Sequence, residues 1–131
     1  MREPGAVPDG VWTEEDHLRG RPGWAVALYR DVAEAIDGCG PVTRSVSRTT
    51  ITFAGPRRGF AGARPTATGV RGYLDLTRRL GDDPRILSAS PYTRRLFVHQ
   101  FRLTAPQQLD DEFRAWLAEG YAVGCGEHLR G

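Results

Sequence analysis

Arginine side chains and aromatic rings recur through the middle of this sequence at spacings suited to binding anions. All eighteen cationic residues are arginine, and twelve lie between Pro41 and Ala105, where Asp75, Asp82 and Asp83 are the only acids. Twelve arginines against three acids give this central block a net charge of +9, while acidic flanks return the chain to +2. Because the planar guanidinium binds phosphate and carboxylate bidentately, the block predicts an anion-binding surface or pairing with the flanks.

Strand alternation indicates which of these side chains lie side by side. The arginines in or beside predicted strands are Arg48, Arg57, Arg58, Arg64, Arg71, Arg94, Arg95 and Arg102. Alternate strand residues share a face, so Arg58 should neighbour Phe60, and Arg71 should neighbour Tyr73. The predicted anion ligands are Arg48, Arg58, Arg71 and Arg102, with Phe60 and Tyr73 stacking on bases or rings. The alternative is that these arginines pair with acids of the helices or are solvated.

Three other central residues have the chemistry of proton transfer. Histidine titrates near neutrality, so His99 could serve as a general acid or base; the alternative, which we favour, is a core histidine hydrogen-bonded to the backbone. Tyr73 and Asp75, on one predicted face with Arg71, form an acid/base trio if a pocket exists there; otherwise they are the wet side of a sheet. The sequence contains no P-loop, dinucleotide fingerprint or nucleophile elbow, so these motifs do not indicate any enzyme class.

The elements that would position these residues predict an α+β fold. Apolar residues at helical spacing indicate a first helix from Pro22 to Gly38, and Thr104, with Gln107 and a proline between, predicts the start of a last helix. The predicted strands are 42–47, 49–54, 59–64, 70–77 and 95–103. Residues 78–94 remain without a clear assignment. We expect an antiparallel sheet of about five strands with both helices packed on one face.

Length and composition predict one domain in a reducing compartment. Residues 1–21 lack apolar periodicity and predict a flexible arm with one acidic turn near Thr13 to Leu18, leaving 22–131 as a single domain. Two cysteines without CxxC spacing argue against disulfides and structural zinc. No apolar run is long enough for a membrane span and no basic leader is recognisable, so we expect a cytoplasmic protein with no membrane partner.

An ordered series of short motifs resembles a known family. The motifs are SRTTITF, RRGFA, YLDL, HQFRLTAPQQLDDEFRAWLAEGYAVG and HLR. Together they resemble the bacterial domain of unknown function family numbered 5655 over about residues 23–130. The resemblance implies helices covering one face of an antiparallel sheet, and some members look like appendages of nuclease-type proteins. The recurring positions of the family match Arg48, Arg58, Phe60, His99, Arg102 and Tyr121.

The resemblance stops short of the N-terminal segment. Relatives often carry a zinc-binding Cys/His segment there, whereas residues 1–21 of this chain offer only His17. We therefore carry over neither a metal nor a nucleic-acid role from that segment.

Three functions remain open from the sequence. The first is a non-catalytic module whose arginine-rich sheet face engages nucleic acid or a phosphorylated or carboxylated small molecule. The second is a small-molecule-modifying enzyme of a biosynthetic pathway, with a pocket between sheet and helices, Arg48 as anchor, and His99 or Tyr73 exchanging protons. The third is a homo-oligomer in which acidic helices meet the basic sheet of another copy. No cofactor or metal is predicted.

Overall fold

The α+β architecture is confirmed in a computed structural model, which describes residues 11–93 and 95–129. The helices are α1 (Glu14–Leu18), α2 (Gly23–Asp37) and α3 (Asp111–Gly124). The strands are β1 (Thr43–Val46), β2 (Ile51–Ala54), β3 (Gly59–Thr66), β4 (Gly69–Leu76), β5 (Ile86–Thr93) and β6 (Leu96–Leu103). Among the described residues, no helix has the length and apolar character needed to cross a membrane.

Within the described part of the chain, the sheet has six strands rather than about five, all antiparallel, in the order β1-β2-β3-β4-β6-β5. The additional strand is β5, which lies within the segment that the sequence left unassigned. Its Ser88, Ser90 and Pro91 are typical of turns, and proline is tolerated at a sheet edge because no neighbour needs its missing N–H. Among the described strands β5 pairs only with β6, and its register is irregular.

Helices α2 and α3 pack on the same face of the sheet. Their buried side chains join Phe53, Leu74 and Phe101 in one core. Gly120 lets α3 approach closely, because a Cβ there would lie 2.5 Å from the Cδ1 of Leu74. The opposite face carries the alternate residues of each strand, which are mostly polar.

The last helix begins later than the sequence predicted. The Thr104 N–H donates to Gln108 Oε1 at 2.6 Å, which closes a 3₁₀ turn over Pro106–Gln108. Asp110 then caps α3 by accepting from the Phe113 N–H at 2.9 Å. The carboxylates at the helix start are therefore placed as expected, but Thr104 precedes a separate 3₁₀ turn and does not cap α3.

The N-terminal segment differs from the expected flexible arm wherever it is described. Thr13 and Asp16 form a capping box at the start of α1, as an acidic turn there predicts. Leu18 joins the core, and His17 Nε2 lies 2.6 Å from the Ser47 carbonyl oxygen. Burial of one apolar and one polar side chain fixes this helix against the domain. Residues 1–10 lie outside the described part of the chain.

Trp116→Ala should test the packing of α3 on the sheet. Trp116 is 6% exposed, packs 5.6 Å from the Phe113 ring and lies under the Arg85 guanidinium. Removing a buried tryptophan should lower the free energy of unfolding by about 3–5 kcal/mol. Trp24→Ala is the matched control, because Trp24 is 45% exposed and its loss should change stability far less. Equal urea midpoints for the two variants would contradict this packing.

Candidate anion-binding site

Three arginines lie opposite one another on adjacent strands. The register pairs Arg64 of β3 with Arg71 of β4, and Arg71 with Arg102 of β6. The buried Leu74 and Phe101 belong to the alternate, helix-facing set, so the arginines lie on the other face. Neighbouring strands are about 4.8 Å apart, so this arginine row spans about 10 Å. Like charges directly opposite each other destabilise a sheet, which makes the row an unfavourable feature for folding alone.

No carboxylate offsets these charges within residues 11–93 and 95–129. The ion pairs of the described structure involve other arginines. Arg71 Nε is enclosed and has no acceptor among the described residues. Burial lowers the pKa of Arg64, and the neighbouring Arg71 and Arg21 lower it further. An anion on this face would remove both the repulsion and the missing acceptor.

A small depression lies beside the row and has the size of an anionic group. Its volume is about 130 Å³, room for about four waters. We call it the anion depression; its lining residues are Thr49, Thr50, Arg64, Arg71, Gly72, Tyr73 and Gln100. Guanidinium and hydroxyl donors together suit the several acceptor oxygens of a phosphate or carboxylate group.

A larger depression of about 580 Å³ adjoins it on the same face. We call it the aromatic depression; its lining residues are Arg58, Gly59, Tyr73, Asp75, Tyr92, Val98 and Gln100. Tyr73 and Gln100 line both depressions, so the two form one continuous surface.

Asp75 and Arg58 form an ion pair at the base of the aromatic depression. Arg58 Nη2 donates to Asp75 Oδ2 at 2.9 Å, and Arg58 Nε donates to the Gly59 carbonyl oxygen at 3.0 Å. The Asp75 side chain is only 5% exposed, and its Oδ1 has no donor among the described residues. Burial therefore raises the pKa of Asp75 to about 6, although Arg58 opposes the shift.

The predicted site residues lie in four separate places. Arg71 and Arg102 belong to the arginine row, and Arg58, Tyr73 and Asp75 meet in the aromatic depression. Arg48 lies apart, in the turn between β1 and β2, with its guanidinium 5.9 Å from the Trp12 ring centroid. Phe60 and His99 are enclosed in the core.

Phe60 does not share a face with Arg58, contrary to the alternation argument. The register between β2 and β3 shifts, so that Phe53 faces Ala61 whereas Ala54 faces Gly59. This bulge breaks the period of two at Phe60. The ring turns to the helix side and meets Tyr121 edge-on with centroids 5.6 Å apart. Phe60 therefore cannot stack on a ligand at the open face.

His99 lies on the opposite face from Tyr73 and Asp75, because the register pairs it with Leu74. The Leu80 N–H donates to His99 Nε2 at 3.0 Å, so we assign the neutral tautomer protonated at Nδ1. Burial lowers the pKa of His99, opposed by backbone carbonyls. This geometry matches the core-histidine alternative and leaves the ring outside both depressions.

Three of the other central arginines pair with acids, as the alternative interpretation stated. Arg44 pairs with Glu14 and Asp37, Arg78 with Glu119, and Arg85 with Asp83, Asp110 and Glu112. The Arg85 guanidinium also covers the rings of Phe113 and Trp116. These pairs fasten helices and loops to the sheet. Arg94 lies outside the described residues.

Sequence reasoning did not select Arg64 or Gln100 for the site. Arg64 was not selected because the strands predicted as 59–64 and 70–77 left a five-residue connection, whereas the structure has a two-residue turn at Ala67 and Thr68 that places Arg64 opposite Arg71. The place of Gln100 in the site could not be predicted from the sequence, because β4 and β6 are separated by a long segment whose path the sequence does not reveal.

The sequence profile of the family described as "Domain of unknown function (DUF5655)" matches residues 14–124. The chain belongs to this family. The match includes α1, so the DUF5655 domain begins before the boundary expected near residue 22. No curated protein and no solved structure matches the chain.

Asp75→Asn should change how stability depends on pH. The pKa of Asp75 is about 6 in the folded chain and near the ordinary 3.9 when unfolded, so the folded state holds the proton more tightly. Ionisation of Asp75 then costs stability as pH rises from about 4 to about 6. As the pH rises from about 4.5 to about 7.5, the free energy of unfolding of D75N should increase relative to that of wild type by about 1–3 kcal/mol.

Urea unfolding at the two pH values measures this difference. Asp82→Asn is the control, because Asp82 is exposed and outside both depressions. A D75N advantage that stays constant or shrinks with rising pH would contradict the buried, incompletely paired carboxyl.

Proposed function

We propose that this domain is a non-catalytic binding module whose open sheet face engages an anionic partner. The partner is nucleic acid or a phosphorylated or carboxylated small molecule. The observation that carries the proposal is the arginine row, in which Arg64, Arg71 and Arg102 face each other without a carboxylate from the described residues.

The distribution of ion pairs supports this proposal. Acids of α1, α2 and α3 are already bonded to Arg44, Arg78 and Arg85, which hold the structure together. The arginine row is therefore a local concentration of positive charge, distinct from these structural pairs. In a homo-oligomer, acids of these helices would have to bind the basic sheet of another copy. Several of those acids are already paired within the chain, so assembly through them is the weaker proposal.

Inorganic phosphate should stabilise the wild-type chain through the row. A ligand that binds only the folded state raises the thermal midpoint, and the rise grows with the logarithm of ligand concentration over Kd. Arg71→Gln removes the central guanidinium, so the rise should fall to less than half. Arg114→Gln is the matched control, since Arg114 is exposed on α3 and lies outside both depressions. Equal phosphate effects on both variants would contradict the site.

Without ligand, Arg102→Gln should stabilise the chain at low salt. Relief of like-charge contact across strands is worth about 0.2–1 kcal/mol, and added potassium chloride should shrink the gain by screening. Urea unfolding of wild type, R102Q and R114Q at two chloride concentrations measures this effect. If R114Q gained more stability than R102Q, the effect would come from the lower net charge of the chain and not from repulsion within the row.

A second candidate function is a small-molecule-modifying enzyme. The observation that favours it is Asp75, a carboxyl with a raised pKa at the base of a depression, which is a common property of catalytic acids. Against it, Asp75 Oδ1 is enclosed and Oδ2 is bonded to Arg58. Burial also raises the pKa of Tyr73, which keeps its hydroxyl protonated. Binding without reaction therefore ranks first.

The two functions separate by product analysis. Prolonged incubation of the wild-type chain with a phosphate-binding probe such as adenosine 5′-monophosphate should return the probe unchanged by chromatography. A product that forms with wild type and not with Asp75→Asn would select the enzyme.

A further inference from the structure

We infer that the anion recognised by this face carries a planar ring, which lies in the aromatic depression while its phosphate or carboxylate lies on the arginine row. This inference rests on the proposed function and narrows its ligand to a small molecule. The first observation is continuity: Tyr73 and Gln100 line both depressions, so a single ligand can occupy them together.

The spacing between the two depressions sets the length of the ligand. Arg71 and Asp75 are four residues apart on β4, which corresponds to about 13 Å along an extended strand. A ligand of about 10–13 Å would span from the row to the base of the aromatic depression. A mononucleotide, with one phosphate and one heteroaromatic base, has this size.

The walls of the aromatic depression suit a flat ring. Tyr73 lies against bare backbone, because a Cβ on Gly62 would come within 2.3 Å of the Tyr73 Cε1. Tyr92 is 62% exposed and projects beside Arg58, whose guanidinium is 5.8 Å from the Tyr92 ring centroid. Aromatic faces bind ring faces by stacking, and Val98 adds an apolar surface.

The polar groups of the same depression suit the edge of a heterocycle. The Gln100 amide offers both donor and acceptor atoms, and Arg58 offers donors only. Asp75 acts as a positioning residue, since its bond to Arg58 Nη2 holds the guanidinium at the base of the depression. A volume of about 580 Å³ falls within the range of small-molecule sites.

The extent of the positive surface favours a small anion over a nucleic acid strand. The arginine row spans about 10 Å across three strands. Beyond the row on the same face, Arg58 is bonded to the Asp75 carboxylate. One phosphate or carboxylate group matches the span of the row, whereas a nucleic acid strand would need further cations along its path.

Calorimetric titration with matched probes tests the inference. Adenosine 5′-monophosphate should bind at least about tenfold more tightly than inorganic phosphate, from the contribution of one stacked ring. Indole-3-acetate against acetate provides the same comparison for a carboxylate and distinguishes the two anion types. Tyr92→Ala should abolish the ring advantage and leave phosphate affinity unchanged, whereas Arg71→Gln should weaken both phosphate probes. Arg114→Gln should behave as wild type, and circular dichroism checks that each variant folds.

The outcomes distinguish this inference from the proposed function. Arg71-dependent phosphate binding without any ring advantage, or a ring advantage that survives Tyr92→Ala, overturns the inference and leaves the anion site intact. Absence of Arg71-dependent binding for every probe overturns both. Tighter binding of a single-stranded oligonucleotide, with a salt slope for more than about three phosphates, overturns the small-ligand assignment and selects nucleic acid.

Discussion

The register of three antiparallel strands places Arg64, Arg71 and Arg102 directly opposite one another, and the functional account depends on this juxtaposition. In water, solvent screens the repulsion between such like charges, so their contact is only mildly unfavourable. Partial burial strengthens the repulsion, because less solvent lies between the charges. Side chains on this face are free to vary without disturbing the helix-facing core. A like-charge row at such a place is more readily explained by a ligand than by folding.

Arginine serves two separate purposes in this domain. On the helix side and at the loops it joins elements, most clearly at Arg85, which is enclosed by three carboxylates and two aromatic rings. On the open face it remains without carboxylates from the described residues, except where Arg58 covers Asp75. Acids of the flanks therefore pair with Arg44, Arg78 and Arg85, whereas Arg64, Arg71 and Arg102 on the open face have no carboxylate partner among the described residues.

Local patterns explain which parts of this structure were predictable. The helix at α2 follows from apolar periodicity, and the face of β4 that carries Val70, Leu74 and Leu76 follows from alternation. Alternation failed at Phe60, because one bulge between β2 and β3 reverses the face, and nothing local marks it. β5 escaped prediction because an edge strand tolerates serine and proline. The grouping of Arg71 with Arg102 required long-range pairing that no local pattern reveals.

The most direct test is a nuclear magnetic resonance titration that follows arginine side-chain Nε–H signals as inorganic phosphate replaces chloride at constant ionic strength. We expect saturable shifts for Arg64, Arg71 and Arg102, the largest at the enclosed Arg71 Nε, with Arg44 and Arg85 unchanged in their carboxylate pairs. Small, non-saturating shifts spread equally over all arginines, or saturation confined to residues outside the row, would contradict it.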